Sequence, residues 1–293
     1  MPVTRIAQLL DEGTTFSFEF FPPKNDVEQA TLVRTLRDLE PLSPAFVSVT
    51  YRGGRVSRQR THDLVAGMIQ TTTLNPMAHL TCVVHTRLEL AEILVELRKA
   101  GVDNVLALGG DPPPDGQEAV HAELTYAIEL VELARAIGGF SIGVAAHPEL
   151  HPNSGGDRDR DRRHLVAKME LADFAITQFF FRTSDYLTLL DDLAKRGMHK
   201  PVVAGIMPIT GLTSVQRMAK LSGCEVPPEV VAKVEAVADD PDDVRRVGVE
   251  LATELCQDLL DQGVPGLHFY TLNRSTATRE IYANLGLAPA STG

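Results

Sequence analysis

The chain predicts an α/β fold, a closed (β/α)8 TIM barrel in one domain, residues 1–293, with extra helices before the last strand. Three observations carry this. Eight short apolar runs recur along the 293 residues, amphipathic stretches separate them, and no composition shift or Ser/Gly linker marks a boundary. Near-continuous apolar strands alternating with amphipathic helices imply a parallel sheet covered by helices. Eight such units in a chain of this length suit a closed barrel. An open doubly wound sheet is the alternative, but no Gly-x-Gly-x-x-Gly follows the first strand.

The predicted strands are Phe16–Phe20, Phe46–Thr50, His79–Val83, Asn104–Leu108, Ile142–Ala145, Ala175–Phe179, Val202–Ile206 and Leu267–Tyr270. In the first, Phe16 to Phe20 read as in-out alternation, and Pro22-Pro23 stop the strand. Among the helices, Arg87–Gly101 is the clearest. Leu88, Leu90, Ile93, Leu94 and Leu97 hold one side, Glu89, Glu92, Glu96 and Lys99 the other, and Gly101 ends it. Lys220–Gln262 exceeds one crossover. Pro227-Pro228 and the run from Asp239 to Asp243 divide it into two or three helices.

Composition narrows the function. With a net charge of -11 and a pI near 5.3, a phosphate-tracking basic surface is not expected, and nucleic acid is not expected as partner. Cys82, Cys224 and Cys256 share no metal or redox spacing, so no metal is expected and a reducing cytoplasm is the simplest home. No apolar run reaches the ~18 residues of a membrane helix, and the N-terminus lacks the apolar core of a signal peptide.

In a barrel of this kind chemistry collects at the carboxyl ends of the strands. Glu19 ends the first and Thr50-Tyr51 the second. Gly109-Gly110-Asp111 follows the fourth, Ala146 to Pro152 the fifth, and Thr271 to Arg274 the eighth, while Gln178 closes the sixth. Each has a plainer alternative. Glu19 could be an edge-strand carboxylate facing water, but aromatic surroundings disfavour an ionised carboxylate, which is how a protein keeps an acid available near neutral pH. Asp111 could only shape its turn. His147 and His151 flank prolines and could be loop residues. Gln178, between apolar neighbours, needs partners for its amide, either a flat polar ligand or backbone. His79 opens its predicted strand, which favours a structural role. The alternating run Asp157 to Arg163 reads as a solvated loop and helix start, with a diphosphate clamp as the minority reading. Arg52, Arg55 and Arg58 carry the same ambiguity.

FSFEFFPPK (16–24), FVSVTYRGG (46–54), HLTC (79–82), GGDPP (109–113), AAHPELHP (145–152), ITQFFF (176–181) and HFYTLNR (268–274) together resemble the methylenetetrahydrofolate reductases, over nearly the whole chain. The resemblance implies a (β/α)8 barrel, the bacterial form without a regulatory domain. It implies reduction of 5,10-methylenetetrahydrofolate to 5-methyltetrahydrofolate with hydride from NADH or NADPH, normally through FAD. It makes Glu19 the general acid and Asp111 the aspartate beside the pterin. Gln178 and Arg274 become folate contacts. Leu212 stands where a phenylalanine packs on substrate or NADH. Thr50, His79, His151 and Lys168 match flavin-contacting positions, and Gly110 and His147 belong to the same cofactor-binding set. The chain departs from the pattern at Gly109, for an arginine, at His147, for a tyrosine, and at Ala167, for a basic residue. Each lost charged contact to a diphosphate weakens binding by ~1.5–3 kcal/mol. The expectation is therefore direct hydride transfer without flavin. Another barrel enzyme of aldolase or isomerase type, or a non-catalytic folate binder, are the rival readings. A homo-oligomer is compatible with the sequence, which does not distinguish NADH from NADPH.

Overall fold

The computed structural model describes residues 5–51, 55–110 and 122–287, with 55–59 as backbone only. Eight parallel strands close in sequence order into a barrel. They are β1 (Thr15–Phe20), β2 (Phe46–Val49), β3 (Pro76–Thr81), β4 (Asn104–Leu108), β5 (Ser141–Ala146), β6 (Phe174–Thr177), β7 (Val202–Ile206) and β8 (Gly266–Tyr270). A helix α1 (Ile6–Glu12) precedes β1. Helices α2 (Asp26–Leu39), α3 (Arg55–Thr71), α4 (Arg87–Lys99), α5 (Ala127–Ile137), α6 (Arg158–Leu171) and α7 (Thr183–Ala194) follow β1 to β6 in turn. Three helices, α8 (Leu212–Ser222), α9 (Pro228–Glu235) and α10 (Pro241–Asp261), lie between β7 and β8, and α11 (Thr276–Asn284) follows β8. The long segment before the last strand thus holds the end of α8 and two further helices, as its prolines imply. Among the described residues no helix is long and apolar enough to cross a membrane.

Strand register sorts the side chains. Ser17 pairs with Phe46 and His268, Glu19 with Ser48 and Tyr270, His79 with Leu106, and Gly143 with Phe174. These residues share the barrel interior, because strand partners point to one face. Phe18 and Phe20 have the opposite parity and join the main core under the helices with Leu32, Val49 and Phe269. The simple in-out alternation expected for β1 is therefore replaced by burial on both faces, the condition of a parallel strand.

The floor of the barrel is sealed by α1. Ile6 and Leu10 pack with Phe46, Met77, Leu106 and Phe174, each contributing ~1.5–3 kcal/mol by leaving water. The helix is seated by two polar side chains at the strand starts. Ile6 N–H donates to Asn104 Oδ1 at 2.9 Å and Ala7 N–H to Ser141 Oγ at 3.0 Å, satisfying two amides of its first turn. At the other helix read closely from sequence, Thr86 and Glu89 form a capping box for α4, and Gly101 lies just beyond the cap at φ +86°.

The third strand corrects the sequence reading. It begins at Pro76, not His79, since a proline is tolerated as the first residue of a strand. His79 therefore sits inside the barrel instead of opening a strand, and Val83 lies past its end.

Candidate active site

Glu19 lies one residue before the end of β1, its side chain inside the barrel near the carboxyl-terminal mouth, and only 7% of it is exposed. Its Oε2 is 3.6 Å from His79 Nε2 and 3.6 Å from His268 Nε2. The aromatic cage expected from Phe18, Phe20 and Phe21 is not its surroundings, because strand parity sends Phe18 and Phe20 to the outer core. Two imidazoles replace them. The backbone beneath is fixed where Thr271 O–H donates to Glu19 O at 2.6 Å.

His79 is buried, and burial holds its imidazole down at about 4 despite the carboxyl of Glu19 beside it. It is thus neutral at pH 7. Its Nε2, Thr50 Oγ1 and Thr81 Oγ1 are buried with no hydrogen-bond partner among the described residues. Three such orphans at the ends of β2 and β3 mark a place where a bound molecule would supply the missing partners. His79 also makes stability depend on pH. The unfolded chain takes up a proton near 6.5, while folded His79 refuses it until about 4. Stability is therefore full above 6.5 and is lost as pH falls towards 4, at ~1.4 kcal/mol per pH unit. Melting temperature is expected to fall over this window and to fall less steeply in His79→Gln. Identical slopes would refute the assignment.

The other expected site residues are placed unevenly. Gln178 follows β6. Its N–H donates to Ala146 O at 2.7 Å and its Oε1 accepts from Phe179 N–H at 3.0 Å, which leaves its amide nitrogen without a bond among the described residues. Arg274 is exposed and forms no ion pair among the described residues; its backbone is set by a turn in which Leu272 and Asn273 have positive φ. Leu212 opens α8 and packs half-buried beside Phe179, Met207 and Ile209. Gly110 has φ +84°, and a Cβ there would meet Val83 at 2.6 Å and Thr81 at 2.9 Å, so glycine is required by space and conformation. Asp111 and Arg52 lie outside the described residues, as do the side chains of Arg55 and Arg58.

After β5, His147 and His151 meet edge to face with ring centroids 4.6 Å apart. Burial, with His151, Lys168 and Arg162 nearby, pushes His147 down to about 3, so it carries no charge at neutral pH. Burial lowers Lys168 to about 8, and its Nζ donates to Ala145 O at 3.0 Å. The neighbouring arginines are committed. Arg162 is fully buried, donates to His147 O at 2.9 Å and Pro148 O at 2.8 Å, and pairs with Asp161 and Asp192. Arg158 pairs with Asp192, Arg163 with Asp159, and Arg160 donates to Asn153 O. The run 157–163 does start a helix, with Asp157 as its cap, but Arg162 is interior and not solvated. Among the described residues these cations serve the protein's own carboxylates and carbonyls.

Sequence reading passed over His268, Ser17 and Ser48. His268 lies at the barrel centre, with Nδ1 2.7 Å from Ser17 Oγ and Nε2 3.1 Å from Ser48 Oγ. The available signal was polar residues at inward parity within otherwise apolar strands.

The family model described as methylenetetrahydrofolate reductase matches residues 5–286. The 5,10-methylenetetrahydrofolate reductase of Pectobacterium carotovorum is 35% identical over 274 residues, 93% of this chain and 90% of its own length. The methylenetetrahydrofolate reductase (NADH) 1 of Arabidopsis thaliana is 33% identical over 303 residues, 99% of this chain but 51% of that protein. Among solved structures, an uncharacterised Clostridium thermocellum protein that binds two copies of 5-methyl-5,6,7,8-tetrahydrofolic acid superposes with a TM-score of 0.66. It has 13% identity and covers 97% of this chain and 98% of its own, a likeness of fold. With a family match across nearly the whole barrel and curated relatives a third identical over most of their length, the chain belongs to the methylenetetrahydrofolate reductase family.

Proposed function

We propose that this oxidoreductase reduces the methylene bridge of 5,10-methylenetetrahydrofolate to a methyl group, taking hydride directly from NADH or NADPH, with Glu19 as general acid. The observation that carries the reading is the carboxyl of Glu19, buried at the mouth of the barrel between two imidazoles. Protonated Glu19 gives its proton to N10 as the bond from N10 to the bridge carbon breaks. A 5-iminium cation remains, and hydride adds to its exocyclic carbon. Asp111, as a carboxylate, would stabilise a cation that exists only after ring opening. Gln178 and Arg274, whose amide nitrogen and guanidinium have no partner among the described residues, would hold the folate. Leu212 would pack on substrate or nicotinamide. Thr50 and His79 would hydrogen-bond a bound ring system through their orphaned atoms, and His151 and Lys168 would line the same end.

The direct route is favoured because Gly109 and Ala167 stand where the family pattern has basic residues, and because among the described residues the arginines of 158–163 bond to the protein's own carboxylates and carbonyls, which leaves a flavin diphosphate poorly held. The plant relative whose name specifies NADH makes that nucleotide the first donor to try.

Purified without added FAD, the protein is expected to be colourless and to convert methylenetetrahydrofolate with NADH or NADPH. Direct transfer needs both substrates bound together, so double-reciprocal lines should intersect, whereas relay through one shared site gives parallel lines. A yellow preparation with parallel lines would overturn the flavin-free route and leave the reductase. No turnover with either nucleotide, with or without FAD, would favour the rival classes.

A further inference from the structure

The barrel interior holds a polar assembly that the proposed chemistry does not use. His268 is 1% exposed and Ser17 and Ser48 are fully buried. The imidazole is fixed on every side. Ser17 Oγ lies 2.7 Å from Nδ1, Ser48 Oγ lies 3.1 Å from Nε2, the ring stacks on Phe46 at 5.6 Å and 15°, and Tyr270 meets it edge to face at 5.6 Å. Burying three polar side chains in a barrel centre costs free energy that leucine or valine would not, and a satisfied network of this kind gains rigidity in return. The rigid object ends beside one atom, Glu19 Oε2, at 3.6 Å from His268 Nε2. Among the described residues the Glu19 carboxyl accepts no hydrogen bond, so the two imidazoles are the polar walls that define its place.

Resting on the assignment of Glu19 as the acid, we propose that His268 is a positioning residue for it: held by Ser17 and Ser48, its ring is a fixed polar wall with Nε2 3.6 Å from Glu19 Oε2, and this wall sets the direction in which the carboxyl presents its proton. A general acid must stand within hydrogen-bond reach of the atom it protonates, and small misplacements cost rate more than binding. His79 closes the other side of the same oxygen, but among the described residues its Nε2 has no hydrogen-bond partner to anchor it. That makes His268 the member that sets direction.

A double-mutant cycle on the full-length protein tests this. His268→Phe fills the ring's place without its nitrogens. It is expected to lower kcat by ~10-fold or more with folate KM within ~3-fold. His268→Gln, whose amide reaches the place of Nε2, should keep kcat within ~3-fold of wild type. In a Glu19→Gln background the phenylalanine should cost less than ~2-fold further, since there is no proton left to aim. A full ten-fold further loss, or wild-type kcat in His268→Phe, overturns the positioning role alone. A fully active Glu19→Gln overturns the acid assignment, and the positioning role with it. Should the phenylalanine variant not fold, Ser17→Ala with Ser48→Ala loosens the ring in place. It should lower kcat by ~3-fold or more, only when Glu19 is present; no effect refutes the proposal.

Discussion

Glu19→Gln is expected to lower kcat for methylenetetrahydrofolate reduction by ~100-fold or more, with melting unchanged within about 2 °C. Glutamine keeps the shape of the side chain and its place in the barrel. It removes the one thing the reaction needs there, a proton that can leave for N10. The stability expectation follows from the contacts. The carboxyl makes no hydrogen bond among the described residues, and the two imidazole nitrogens beside it are 3.6 Å away. His79 on one side is neutral at pH 7, so no ion pair with it is broken by the change. A glutamine also gains donors that the orphaned His79 Nε2 can use as an acceptor in one tautomer. Steady-state kinetics with thermal melting decide the matter. A variant that turns over near the wild-type rate sinks the assignment. One that loses activity by unfolding shows Glu19 to be part of the scaffold.

How much of this was legible before the structure depends on what each residue answers to. The strands were, because a parallel strand buried on both faces is an apolar run whatever surrounds it, and β4 and β7 fall on the expected residues. The start of β3 was not, since Pro76 reads as punctuation and only neighbouring strands show that it opens a ladder. Glu19 was legible as a strand-end carboxylate, but its company was not. Which of Phe18, Phe20, His79 and His268 surrounds it depends on parity in three strands separated by up to 250 residues. The helix α1 carries only Ile6, Leu9 and Leu10 as apolar signal, and its role as a floor appears only when Asn104 and Ser141 come beneath its amides. The demand on Gly110 for a positive φ was not legible either, since it is set by Thr81 and Val83 beside it in space. Charge runs are the hardest to read. A pattern of alternating sign describes a helix face in water, and nothing in it reveals that one arginine of four is turned inward.

That arginine carries the largest expected effect on stability. Arg162 is fully buried, with Nε 3.2 Å from Asp192 Oδ2 and Nη1 2.7 Å from Asp161 Oδ2. Its other bonds reach carbonyls of the loop after β5, His147 O and Pro148 O. Asp161 in turn accepts His151 N–H at 3.0 Å. One side chain therefore ties α6, α7 and the loop that carries both histidines. Arg162→Met preserves length and volume but leaves two buried carboxylates and two carbonyls without it. Breaking one partner of a buried ion pair costs ~3–5 kcal/mol, because the remaining charge stays out of water. Arg158 keeps a bond to Asp192 at 3.0 Å and holds the cost near the lower end. For a chain of this size that is a fall in melting temperature of roughly 6–12 °C. Arg163→Met, on the exposed face of the same helix, should move it little. Adding Asp192→Leu to Arg162→Met should recover part of the loss, since removing both charges relieves the uncompensated one. Were the single variant to melt within 2 °C of the parent, the buried network would not be what holds this side of the barrel mouth.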